Sequence, residues 1–207
     1  MIMKIFTLLS ALFIALPAFA GEAKTLFDGK TTAGWTDNKG GAPKWVVKDG
    51  TLSGKKKSGY IWTAERYGDF KLTLEFKTSG NSGVFFRCDN PKNPVQTGIE
   101  IQVNKPGDSS KHSVGSIYDL VAPSKNAGLE GWNKLEITAK GKDIKVVLNG
   151  EAICSMDLDQ WTKPRKNPDG SKNKYKKALR DFKREGHIGF QDHGASVSYR
   201  NITIEKL

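Results

Sequence analysis

Two side chains suited to chemistry stand side by side in Gly98-Ile99-Glu100-Ile101-Gln102-Val103. Strand alternation puts Glu100 and Gln102 on one face and the three β-branched residues on the other. A carboxylate can move a proton, and a neighbouring amide can orient hydroxyl groups. A solvated outer strand face would use the same residue types. The stretch His187-Ile188-Gly189-Phe190-Gln191-Asp192-His193-Gly194 follows similar logic. Its residues 187, 189, 191 and 193 share one parity unless the turn breaks it. His193 beside Gly194 could present an imidazole that titrates near neutrality, although a lone histidine is more often structural. In Asn81-Ser82-Gly83-Val84-Phe85-Phe86-Arg87, alternation pairs Arg87 with Phe85, opposite Val84 and Phe86. The guanidinium there could hold an oxyanion or satisfy a buried carboxylate. Tyr118-Asp119 adds a flat ring and an acid, and five Trp offer sugar-stacking surfaces or core volume.

Much familiar chemistry is missing. The chain has no Walker loop, dinucleotide fingerprint, G-x-S-x-G elbow or H-E-x-x-H helix. Three His and two Cys are too scattered for a transition-metal cluster, and no Asp/Asn loop demands calcium. Where a second acid would follow Glu100, the chain has Gln102, which argues against a two-carboxylate glycosidase.

The elements that must position these residues have a period of two. Short strands are expected in KWVVKDGTL, FKLTLEFKT, SGVFFRC, GIEIQVN, NKLEITAKG, KDIKVVLNGEAI, HIGFQDHG and SVSYRNITIEKL. Asp49-Gly50 and Asn149-Gly150 have the composition of tight hairpin turns. Regularly spaced turns between short strands predict an all-β sandwich or jelly roll of one domain, residues 21–207. One segment departs from this pattern. Residues 163–184 carry ten Lys or Arg against two Asp, a net of +8. Tyr175, Leu179 and Phe182 are spaced for a short helix over 175–184. The segment reads as a lid beside a cleft or as a solvated insertion.

Residues 1–20 have the pattern of an export signal: Lys4, a dozen apolar residues and Ala18-Phe19-Ala20. The apolar run is too short to span a bilayer, so a stable membrane anchor is not expected. Export points to a periplasmic or extracellular site of action. It also points away from nucleic acid, despite a net charge of +11 over 207 residues. Outside the cytoplasm, Cys88 and Cys154 could pair or remain buried thiols.

In order along the chain, LFDGKTTAGW, YGDFKLTLEFK, NSGVFFR, GIEIQV, SIYDL, GWNKLEI, VVLNG, GHIGFQDHG and RNITIEKL resemble the 3-keto-disaccharide hydrolase family across residues 25–207. The resemblance implies a concanavalin A-like jelly-roll sandwich of two antiparallel sheets and a substrate sugar with a ketone at C3. Such a ketone acidifies C2–H and lies β to the glycosidic oxygen. One base, one enolate stabiliser and one proton donor would then suffice. On this reading Glu100 or His193 is the base and the other assists proton return, while Arg87 stabilises the enolate. Gln102 and Gln191 orient hydroxyls, with Asp192, Tyr118 and Asp119 beside the substrate. No cofactor is expected, although structural calcium is compatible with the fold class. The alternative is a non-catalytic carbohydrate-binding jelly roll.

Overall fold

A computed structural model describes residues 21–207, so the leader-like residues 1–20 lie outside the described part. Thirteen strands form two antiparallel sheets. They are β1 (Lys24–Thr25), β2 (Trp35–Thr36), β3 (Val46–Lys48), β4 (Thr51–Gly54), β5 (Tyr60–Thr63), β6 (Phe70–Thr78) and β7 (Ser82–Cys88). After one helical turn, α1 (Pro94–Thr97), come β8 (Ile99–Val103), β9 (Asn133–Lys140), β10 (Asp143–Leu148), β11 (Glu151–Asp157), β12 (His187–Gln191) and β13 (Val197–Lys206). The larger sheet runs β11-β10-β9-β6-β13-β4-β3, with β1 also paired to β13, and the smaller runs β2-β5-β12-β7-β8. The chain is thus an all-β jelly-roll sandwich.

Alternation explains the core. Phe70, Leu72, Leu74 and Phe76 of β6 point inward and are essentially inaccessible. They share one apolar cluster with Val84 and Phe86 of β7, Ile99, Ile101 and Val103 of β8, and Ile188 and Phe190 of β12. Each such side chain contributes about 1.5–3 kcal/mol of burial. The hairpin turns behave as their composition predicts. Asp49 and Gly50, like Asn149 and Gly150, all have positive φ, the geometry of a type I′ turn.

The outer face of the smaller sheet is the unusual one. Every residue of β7 and β8 is buried, so that face is covered rather than solvated. Trp62, Phe85 and Cys88 form a second apolar cluster there, with Tyr60 and Val95 packed against it. The Tyr60 and Trp62 rings stack at 5.6 Å, and Phe85 meets both edge-on. Gly189 lies opposite Trp62 and leaves room for the indole, which a Cβ at that position would overlap.

Two expectations change, and an alternative left open is decided. First, Arg87 does not follow Phe85 onto the outer face. Its φ is +48° and the β7–β12 register slips beside it, a bulge that re-aims the side chain. The guanidinium donates to Gly68 O, Gly141 O and Asp69, and is fully buried. Three of its five N–H donors thus form a structural pin, and the buried guanidinium does not stand where the sequence placed it, facing an enolate beside Glu100. Second, residues 175–184 form no α-helix, only a 3-10 turn at Leu179–Asp181. The amides that a helix would bond four residues back go elsewhere: Arg180 donates to Trp161 O, and Asp181 and Phe182 donate only three residues back, to Ala178 O and Leu179 O. Tyr175, Leu179 and Phe182 are nevertheless buried. Third, Cys88 and Cys154 are separate free thiols in different clusters, each pushed by burial to about 11.

Two substitutions test this packing. Gly189→Ala should lower stability by about 1–3 kcal/mol through overpacking against Trp62. Arg87→Met strips donors from two carbonyls and Asp69, and should cost about 2 kcal/mol or more. Urea unfolding of both variants checks the expectation.

Candidate functional site

On the covered face, β7 and β8 pair Gly83 with Gln102 and Phe85 with Glu100. A Cβ at position 83 would overlap Glu100 Oε1, so the glycine makes room for the carboxylate. Glu100 is 4% exposed and Gln102 2%. With Asn81, Val95, Tyr118, Lys174, Gln191 and His193 they line a cleft of about 160 Å³. A larger hollow of about 440 Å³ along Gln160–Gly170 offers only exposed ionisable groups, Lys163, Lys166 and Asp169.

A carboxylate this deep requires compensation. Lys174 Nζ lies 3.3 Å from Glu100 Oε2 and 3.6 Å from the centre of the Tyr118 ring. Burial pushes the Glu100 carboxyl above its ordinary range, while Lys174 and then His193 pull it back. Burial likewise pushes the Lys174 ammonium down, opposed by Glu100 and Asp119. The two shifts agree in direction: desolvation outweighs the mutual attraction. The gap between the proton affinities of acid and amine is thereby narrowed, which suits a group that must accept and return a proton.

The amides of the cleft are partly committed. Gln102 Nε2 donates to Asn81 Oδ1, Ser82 O and Val103 O, at 2.9, 3.3 and 3.2 Å. Gln191 Nε2 donates to the Tyr60 hydroxyl at 2.9 Å. The Oε1 atoms of both glutamines are buried and unpartnered in the described structure. Such acceptors suit the hydroxyl hydrogens of a sugar. His193 is exposed at the rim, two residues past Gln191 where β12 ends.

The sequence-derived set is therefore gathered only in part. Glu100, Gln102, Gln191, His193 and Tyr118 converge, whereas Arg87 pins the fold elsewhere. Asp192 does not line the cleft. Its carboxylate accepts from the amides of Ser58, Gly59 and Gly194 and holds the turn that carries His193. Asp119 also lies outside the lining. It accepts from the Lys174 amide at 2.7 Å and lies 3.3 Å from His112 Nε2, so it orients the lysine. Four of the tryptophans, Trp35, Trp45, Trp62 and Trp161, are buried, and Trp132 packs under Arg200. Lys174 and Asn81 were not expected in the site. The exposure pattern of residues 172–176, with buried Asn173 and Tyr175 between more open lysines, is that of extended chain. In the sequence, the helical spacing of Tyr175, Leu179 and Phe182 conceals that signal. Among the described residues, no group of three or more His, Cys, Asp or Glu side chains converges as a metal site would require.

Residues 22–205 match the 3-keto-alpha-glucoside-1,2-lyase-like domain family. The chain belongs to this family. A 3-keto-disaccharide hydrolase of Bacteroides thetaiotaomicron is 31% identical to this chain, the alignment covering 94% of this chain and 81% of the relative. A crystal structure of a candidate glycosyl hydrolase from Parabacteroides distasonis superposes with a TM-score of 0.80 at 32% identity, covering 90% of this chain and 100% of that one. The carbohydrate-binding module CBM66 of Bacillus subtilis, at 16% identity and a TM-score of 0.53, covers 84% of this chain and 96% of its own, and shares the fold. Family membership and the jelly roll thus agree with the reading of the sequence.

Two titrations follow from the buried carboxylate. Lys174→Met removes the charge that pulls the Glu100 proton affinity down, so the Glu100 midpoint should rise further, as carboxyl NMR would record. A group whose folded pKa exceeds its unfolded value stabilises at low pH and loses that contribution as pH rises. The wild type should therefore lose stability relative to Glu100→Gln as pH climbs above the ordinary 4.5 through the raised native value. Urea midpoints of the two proteins at pH 4 and pH 8 measure the difference.

Proposed function

We propose that this carbohydrate-active hydrolase cleaves 3-keto-glycosides by elimination and hydration, with Glu100 as the base. The observation that carries the reading is a single buried carboxylate beside an ammonium, with an amide, Gln102, where a two-carboxylate glycosidase would need its second acid. The family and the hydrolase relative support the substrate class.

The steps balance with the groups at hand. Glu100 takes the C2 proton, and the electron pair moves onto the C3 oxygen as an enolate. The Lys174 ammonium faces that charge, in the place first expected of Arg87. The enolate re-forms the ketone as the C1–O bond breaks, and His193 at the rim protonates the departing oxygen. Water then adds at C1 of the enone and gives up a proton to the His193 imidazole, while protonated Glu100 returns its proton to C2, so both groups regain their starting state. The free Oε1 atoms of Gln102 and Gln191 receive sugar hydroxyls. A cleft of about 160 Å³ lies well below the ~300–1,000 Å³ of pockets for drug-sized ligands, a size for one ring with the aglycone outside. A purely binding module would have no use for a desolvated acid and amine in contact. The leader-like residues 1–20 support action outside the cytoplasm.

The assay compares a 3-keto-glycoside with its unoxidised parent, in water and in deuterium oxide. Cleavage of the ketone alone, with deuterium entering at C2 during turnover, is the expected result. Glu100→Gln should lower kcat/KM by about 10²–10⁴. Equal cleavage of the parent sugar, or cleavage of a 3-keto-glycoside whose C2 carries no hydrogen, would overturn the reading.

A further inference from the structure

We propose that Gln96 is a positioning residue: its side-chain amide clamps the extended segment around Tyr175 and thereby holds the Lys174 ammonium against Glu100. This rests on the reading of Glu100 as the base. Gln96 Nε2 donates to Lys174 O at 3.1 Å, and the Lys176 amide donates to Gln96 Oε1 at 2.9 Å. In extended chain, the C=O before a residue and the N–H after it point to the same side. One amide side chain therefore does for Tyr175 what a neighbouring strand would do.

The opposite edge of the segment is held by the main chain. Arg165 donates its amide to Tyr175 O at 2.7 Å, and Asn173 donates to Arg165 O at 3.1 Å. The Lys174 amide goes to Asp119 at 2.7 Å. Both main-chain polar groups of Lys174 are thus satisfied by side chains, Asp119 on one and Gln96 on the other. Residues 173–177 belong to no strand or helix; Arg165 holds the edge formed by Asn173 and Tyr175, and the edge that carries the Lys174 peptide groups is held by Asp119 and Gln96. Gln96 sits on α1, four residues before Glu100 and three before the start of β8. The same short stretch of chain carries the acid and grips the backbone of its partner.

A glutamine that only stabilised a surface loop would leave the titration of Glu100 alone, and that difference supplies the test. The charged or titratable groups acting on Glu100 are Lys174 and His193, while Tyr60, Tyr118, Tyr175 and Tyr199 surround it as neutral phenols. The experiment follows the Glu100 carboxyl by NMR titration in the full protein for wild type, Lys174→Met, Gln96→Leu and the double variant. Gln96→Leu is expected to raise the Glu100 midpoint part of the way that Lys174→Met does, and the double variant should match Lys174→Met alone. With a 3-keto-glycoside, kcat of Gln96→Leu should fall about tenfold with KM little changed. Gln96→Asn keeps the amide one methylene short and should shift the midpoint in the same direction. An unchanged Glu100 midpoint in both folded Gln96 variants, or additive shifts in the double variant, would overturn the proposal. So would failure of both variants to fold, since Gln96 would then be a fold determinant. If the wild type turned over no 3-keto-glycoside, the proposed function would fall, while the titrations would still decide the clamp.

Discussion

The desolvation of one carboxylate organises the working face of this protein. Glu100 projects from the outer side of a strand whose every residue is buried, and an uncompensated charge there would cost several kcal/mol. The structure meets that cost in three ways. Gly83 clears the space, Lys174 supplies the opposite charge from a segment 74 residues away, and the cleft leaves one side open to a ligand. Remove the demand, and the Asp119 and Gln96 contacts to the basic segment would have no chemical purpose beyond loop closure.

The basic segment takes its meaning from this compensation. Its net of +8 first looks like a property of the surface. In the folded chain, Arg184 pairs with Asp159, and Lys174 alone turns inward to the buried acid. Charge density was a poor guide to which cation would matter, because the selection is made by backbone hydrogen bonding. Asn173 and Tyr175 are buried on either side of Lys174, and the lysine projects where the main chain aims it.

Period-two patterning made the sandwich legible. β6 and β7 occupy the residues that their alternation marks, and both Asx-Gly turns lie where hairpins were expected. The short strands β1, β2 and β5 left no comparable pattern; β5 is buried at three of its four positions and so cannot alternate. Within the site, Glu100, Gln102, Gln191, His193 and Tyr118 could be read from strand parity and family resemblance. Arg87 could not, because one residue of positive φ reverses the face of everything beyond it, and Cys88 takes the outer position in its stead. Asp192 and Asp119 illustrate a different limit. Their type suits a substrate site, but nothing local reveals that backbone amides claim their oxygens first.

The topology also determines when this site can exist during synthesis. β12 and β13, the last two strands of the chain, lie in the interior of the two sheets, β12 between β5 and β7 and β13 between β6 and β4. A nascent chain ending before residue 187 would hold the acid and its lysine, but the smaller sheet would be split in two and the larger into β11-β10-β9-β6, β4-β3 and an unpaired β1. Closing the sandwich therefore waits for the C-terminus and requires pairings across most of the sequence, such as Lys24 with Ile204. Contacts of that separation make for slow folding. The interval during which the polypeptide remains open is thereby set by strand order, independently of any residue in the cleft.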